Sequence, residues 1–175
     1  MNLDLERLSI IHYPDPRLRQ ICEPVTEFNH NLEGLVRRMY EIMLAGKGVG
    51  LAAPQVGVNL RFFVMNVTGK EEDNLVLINP ELREMHGSRE AEEGCLSLPE
   101  VYAQVRRAAE CVIRAQDING KTFELHGTDL ACRVWQHETD HLNGTLLVDR
   151  MGPGDKIKSK KKLKELELTF KENQR

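Results

Sequence analysis

The sequence is short of aromatic residues, of net charge, of paired cysteines and of long apolar runs, and each shortage removes a class of protein. A formal net charge of -3 argues against general nucleic-acid binding by the whole domain. No stretch approaches the roughly 18 apolar residues that a membrane span needs. The opening segment Met1-Asn2-Leu3-Asp4-Leu5-Glu6-Arg7 mixes acids and a base without an apolar core, so it does not read as a signal peptide. Cys22, Cys95, Cys111 and Cys132 include no C-x-x-C pair, which speaks against a disulfide framework and a zinc ribbon in a non-secreted chain. No repeat and no linker divides the chain. A soluble, intracellular, cytoplasmic protein is expected, with 175 residues forming one domain that can bury a real core.

What is present begins with loops. Pro14, Pro16 and Pro24 punctuate the first 25 residues. Leu32, Leu35, Val36, Met39, Ile42 and Met43 then recur at helical spacing, closed by Gly46 and Gly48. Strands are expected at residues 61–67, at 75–78 ending on Asn79-Pro80, and as a pair at 111–115 and 122–125 across the turn from Asp117 to Gly120. A second helix is expected from Thr128, as N-cap, to Asn143, with Gly144 as its stop. Short strands, few helices and no regular βαβ alternation indicate α+β: short mixed or antiparallel strands around a central helix, followed by a C-terminal helix.

That central helix carries His137-Glu138-Thr139-Asp140-His141, an H-E-x-x-H pattern. Histidines four apart lie one turn apart on one face, so their rings can converge on a cation. Glu138 beside them can act as a general base on the open side. A lone match of five residues is short enough to be inert, so a third ligand and a substrate-binding element are required. No histidine follows His141, and the downstream alternatives Glu165 and Glu167 sit among lysines. Upstream, Glu92-Glu93-Gly94-Cys95-Leu96-Ser97 offers Cys95 as a thiolate in a stretch too polar to be simple core. One thiolate and two imidazoles leave a fourth position open, the pattern of a catalytic site. Cys111 and Cys132 read as buried small hydrophobes.

Gly48-Val49-Gly50-Leu51-Ala52-Ala53-Pro54-Gln55 superficially fits a dinucleotide-binding turn, but a helix precedes it and Pro54 interrupts any helix that should follow. Such a loop instead brings bare backbone against an extended ligand, and Gln55 adds an amide donor.

Gly48 to Gln55, Glu93 to Ser97 and Gln136 to Leu142 together resemble, in order, the three motifs of peptide deformylases, and Tyr13-Pro14-Asp15-Pro16-Arg17-Leu18-Arg19 resembles that family's opening segment. The likeness covers nearly the whole chain. It implies a metal-dependent hydrolase that removes the formyl group from the N-terminal formyl-methionine of newly made polypeptides. The resemblance implies one divalent ion per chain held by Cys95, His137 and His141, with Fe2+ as the working ion and Ni2+, Co2+ or Zn2+ as substitutes. It implies Glu138 as the base, and the Gln55 amide and Leu96 N–H as donors to the oxyanion. Val49, Leu130 and Val134 are the positions expected to line the methionine pocket, with Gly50 offering backbone and Tyr102 at the rim. Formyl-methionyl nascent peptides are the implied partner, and the protein is expected to be a monomer.

Asp140 is expected to orient Arg106 or Arg107, and Gln136 to hydrogen-bond the loop at Cys95. Residues 155–172 form a lysine-rich segment, read as a helix that packs Ile157, Leu163, Leu166 and Phe170 on the domain and exposes its lysines. Docking of those lysines on ribosomal RNA is a compatible expectation. Three rival readings are an endopeptidase with another third ligand, a structural metal or ribosome-binding module, and a paralogue acting on another acyl group. Gln55 and Glu138, which hold no metal, count against the structural module.

Overall fold

Asn29 begins the first helix by capping it: its side-chain oxygen accepts from Asn31 N at 3.1 Å and Leu32 N at 3.2 Å. In the computed structural model, which describes residues 4–174, this helix is α1, His30–Ala45, and its six expected apolar residues are all buried. Residues 1–3 of the opening segment read above lie outside the described residues. Beyond α1 the left-handed position falls on Lys47 (φ 55) rather than on either flanking glycine.

The strands follow as β1 (Gly50–Ala52), β2 (Phe62–Met65), β3 (Leu75–His86), β4 (Arg89–Cys95), β5 (Leu98–Arg107), β6 (Glu110–Gln116) and β7 (Thr122–Thr128). They form a five-stranded antiparallel sheet in the order β1-β2-β3-β6-β7 and a separate antiparallel hairpin β4-β5. Then come α2 (Asp129–Leu142), the short α3 (Leu147–Arg150) and α4 (Pro153–Asn173). The expected α+β class holds, with antiparallel pairing throughout the named strands and with β3 longer than expected. Among the described residues no helix is long and apolar enough to cross a membrane.

β2 explains how the core is arranged. Its residues are all buried because helices cover both faces: Phe62 and Val64 join α1, while Phe63 and Met65 join α2 through Val134, Trp135 and Leu142. Alternation along a strand sends neighbours to opposite faces, so a continuous apolar run here means two cores. Burying each such phenylalanine contributes roughly 1.5–3 kcal/mol. A third core joins Leu98, Val101, Ala103 and Val105 of β5 to Leu147, Met151 and, partly buried, Leu163 and Leu166 of α4.

Three expectations need correction. β3 does not stop at Asn79-Pro80: a register shift between Ile78 and Glu81 absorbs the proline, which lacks a ladder donor. Asn79 (φ 50) fixes that bulge by bonding Val25 N, Val25 O and Gln116. The β4-β5 hairpin was not expected, because β4 reads Arg-Glu-Ala-Glu-Glu-Gly-Cys and buries only Glu93. Finally α4 spans two residues more at its start and packs shallowly. Ile157 is 76% exposed, so it is not one of the packed residues.

Candidate metal centre

The histidine pattern occupies the last two turns of α2, where His137, Glu138 and His141 are buried. Its stop is as expected: Gly144 (φ 71) donates to His141 O. Thr128 stands at the N-cap position but makes no side-chain cap bond. Cys95 ends β4 immediately before the tight turn into β5, and the hairpin carries it to the helix. One ligand atom each of Cys95, His137 and His141 lies within 4.8 Å of the others, and Cys95 Sγ is 3.3 Å from His141 Nε2. The two imidazoles meet edge to face at 67°. No other group of three or more potential ligand residues occurs among the described residues.

The surroundings favour a cation. His137 Nδ1 lies 2.9 Å from Glu93 Oε2, which leaves Nε2 for the centre. Glu93 also accepts from Arg107 at 2.6 and 2.9 Å and from Arg133 at 2.6 Å. Burial pushes the Glu93 carboxyl up, but the bonds from His137 and Arg107 win and bring it down to about 2. Burial would likewise depress His137, yet the Cys95 thiol and the Glu93 carboxylate hold its proton well above the usual range. The Glu93 carboxylate and the Cys95 sulfur thus favour positive charge at this point, which a proton meets here and a metal ion would meet equally. Cys–His–His is a soft and borderline donor set suited to a first-row divalent ion.

Glu138 faces the same space. Burial raises its carboxyl to about 7 against the pull of His137, and its Oε2 is buried without a hydrogen-bond partner among the described residues. Gly50, at the free edge of the large sheet, must stay bare: a Cβ there would stand 2.5 Å from Glu138 Oε1. A Cβ on Gly48 would meet Leu96 at 2.6 Å. Gln55 is fixed by its own carbonyl, which accepts Ala52 N at 2.8 Å, and its Nε2 points at Ser97 Oγ (3.2 Å) and Cys95 Sγ (3.6 Å). Leu96 lies in the turn between β4 and β5, and no acceptor among the described residues takes its N–H.

These groups open on one cavity of about 550 Å³ whose walls include Val49, Gly50, Tyr102, Leu130 and Val134 beside Cys95, His137 and Glu138. All five expected substrate residues are therefore brought together. A second cavity of about 590 Å³, at the N-terminal end of α1 between Val25, Leu32, Leu35 and Leu60, is lined by no cysteine or histidine.

Sequence reasoning missed the charges behind the centre. Arg107 is the arginine that Asp140 orients, at 2.9 Å, and Arg150 joins the same carboxylate, whereas Arg106 pairs with Glu90. Glu93 carried no signal beyond its place inside a motif, and Arg133, outside all three motifs, carried none. Gln136 does not reach the Cys95 loop. It bonds both backbone groups of Ala108, donating to O at 3.1 Å and accepting from N at 3.0 Å, and so ties α2 to the connection between β5 and β6.

Comparison with known proteins gives one consistent result. The polypeptide deformylase family model matches residues 7–157. A peptide deformylase of Acidobacterium capsulatum is 48% identical over 144 residues, covering 81% of this chain and 85% of its own length. One from Baumannia cicadellinicola is 45% identical over 159 residues, covering 91% and 95%. The crystal structure of peptide deformylase from Plasmodium falciparum superposes with a TM-score of 0.91 at 42% identity, over 93% of this chain and 97% of that one.

Proposed function

The chain belongs to the polypeptide deformylase family and is a hydrolase of that kind, and from that premise we propose that it removes the N-formyl group of formyl-methionyl nascent peptides, releasing formate, at the centre formed by Cys95, His137 and His141. The observation that carries this reading is a buried Glu138, with a carboxyl near 7, set beside a Cys–His–His cluster at the head of a substrate-sized cleft.

Cys95, His137 and His141 would hold a divalent ion, which would supply Lewis acidity to the reaction. Ferrous iron is the proposed occupant, with nickel, cobalt or zinc able to replace it. Glu138 takes the proton from the attacking water and later returns it to the departing amine, a role that needs a group poised near neutrality. The Gln55 amide and the Leu96 N–H donate to the oxygen that becomes negative. One such donor lowers the barrier by roughly 3 kcal/mol. The peptide lies as an added strand along the bare backbone at Gly48 to Gly50, and its first side chain enters between Leu130 and Val134. Lys156, Lys158, Lys160, Lys161 and Lys164, all exposed on α4, form a face suited to ribosomal RNA, and the protein acts there as a cytoplasmic monomer.

The decisive measurement is formate release from formyl-Met-Ala-Ser by anaerobically purified protein, with metal content determined on the same sample. Release at about one metal per chain, lost together with the metal in Cys95→Ala, is the expected result. Stoichiometric metal without formate release would overturn the reading.

A further inference from the structure

Leu130, Arg133, Val134 and His137 follow one another at i, i+3, i+4 and i+7, which places them on one face of α2, and all four line the cleft. Facing them is β4, with Glu92, Glu93, Gly94 and Cys95. On the deformylase reading, the gap between helix and strand is the space offered to the first side chain of the peptide. Leu130 and Val134 are apolar and Gly94 is bare, whereas Arg133 brings a long charged side chain into the same wall.

Arg133 does not leave for solvent. Its side chain is only 11% exposed and crosses from α2 to the hairpin. Nη1 donates to Glu93 Oε1 at 2.6 Å and to Val105 O at 2.9 Å, and Nη2 donates to Arg89 O at 2.8 Å. Its anchors are therefore the first residue of β4, the carboxylate in the middle of β4, and the neighbouring strand β5. A side chain rooted on one wall and bonded at three points on the other must span the gap. The Arg89–Asp129 ion pair joins the first residues of β4 and α2 and reinforces closure at the same end. Along the helix, Arg133 precedes the metal ligand His137 by four residues, or about 6 Å of axial rise. The bar thus stands about one turn away from the reacting centre and is joined to His137 through the Glu93 carboxylate.

We propose that Arg133 is the end stop of the first-side-chain pocket, the residue that sets the longest side chain the enzyme accepts. This rests on the deformylase reading given above. The stop is stiff because its planar fork is held by three acceptors in two strands, so a longer side chain cannot displace it without breaking bonds to Glu93 and to two backbone carbonyls. An unbranched side chain of methionine's length fits before the bar. One with two further carbons meets it.

The test is a competition in a single reaction between formyl-Met-Ala-Ser and the same peptide with 2-aminooctanoate in first place, read as the ratio of their kcat/KM values. A ratio taken on one sample cancels any loss of folded or metal-loaded protein. The parent should favour methionine at least tenfold, and Arg133→Ala should raise the relative rate of the long substrate by tenfold or more. Arg133→Lys, which keeps reach and charge, should restore the parental ratio. Arg133→Met keeps the stem without the fork and carries the comparison if the alanine variant does not fold; it too should raise the ratio. A parent that takes both substrates equally, or alanine and methionine variants with the parental ratio, would overturn the end stop while leaving the reaction intact. Release of formate from neither substrate by the parent would instead overturn the reading of the reaction.

Discussion

Glu138 is asked both to be buried and to ionise, and its carboxyl near 7 reflects that conflict. As a base it must be unprotonated, so kcat/KM should rise about tenfold per pH unit below 7 and level off above it; a profile flat from pH 5 to 8 would remove Glu138 from that role. Glu138→Gln keeps the shape and discards the base. Turnover should fall by roughly 10²–10⁴-fold at unchanged metal content. The same substitution has a second consequence, for stability. A carboxyl whose folded value exceeds its ordinary value favours the fold fully below about 4.5, and that contribution is lost as pH rises through about 7. Above pH 7 the parent therefore carries a buried charge that Glu138→Gln lacks. In metal-free protein the glutamine variant should be the more stable of the two at pH 8, by on the order of 2–3 kcal/mol. Equal urea midpoints at pH 8 would show that the charge finds solvation that the burial of Glu138 does not suggest.

At the scale of elements, the site depends on how the β4-β5 hairpin is held to α2, and Glu93 is the joint. It bonds one proposed metal ligand, His137 on α2, one arginine on β5 and another on α2. Removing its charge in Glu93→Gln leaves Arg133 without its anion and Arg107 with Asp140 alone, which should cost roughly 3 kcal/mol at pH 7. The carboxyl lies near 2 in the fold, so its contribution is present above about 4.5 and lost as pH falls toward 2. The difference between parent and Glu93→Gln should accordingly shrink through that window; a pH-independent gap would mean that shape rather than charge joins the elements. Metal affinity should also drop, by about 10–100-fold, as the orientation of His137 loosens. This joint was poorly legible in the sequence. α1 announced itself through six apolar residues at helical spacing, and α2 through its histidines. β4 could not, because a strand exposed on its faces has no apolar alternation to read, and its one buried residue is a glutamate. Motif order singled out Cys95, His137, His141, Gln55 and Glu138 as candidates, and the fold brings them together. The arginines behind them are long-range partners from β5 and α2, and their pairing exists only once the hairpin has folded onto the helix.

For the whole molecule, the proposed ligand set draws on two separately hydrogen-bonded sheets. Cys95 ends the hairpin, which rests on α4, while both histidines stand on α2, which rests on the five-stranded sheet. An ion bound to all three residues would therefore tie two parts of the core that otherwise meet through the Glu93 network, the Gln136–Ala108 bonds, the Gln55–Ser97 bond and the Arg89–Asp129 ion pair. Because such an ion binds the folded arrangement alone, it stabilises by RT ln(1 + [L]/Kd), about 4 kcal/mol at a thousandfold excess over Kd. In a chain of this size each kcal/mol moves Tm by about 2–4 °C. Anaerobic chelation should then lower Tm by roughly 10 °C and restoring ferrous iron should reverse it. The loss should not be uniform. The large sheet keeps its two helix-covered faces without the ion, whereas the hairpin loses its tether at Cys95, so amide exchange should accelerate first across residues 89–107 and least in β2. Cys95→Ala should show the same exchange pattern whether or not iron is added. If chelation left both Tm and the hairpin's protection unchanged while abolishing formate release, the ion would serve chemistry alone and the Glu93 network would suffice to hold the two sheets together.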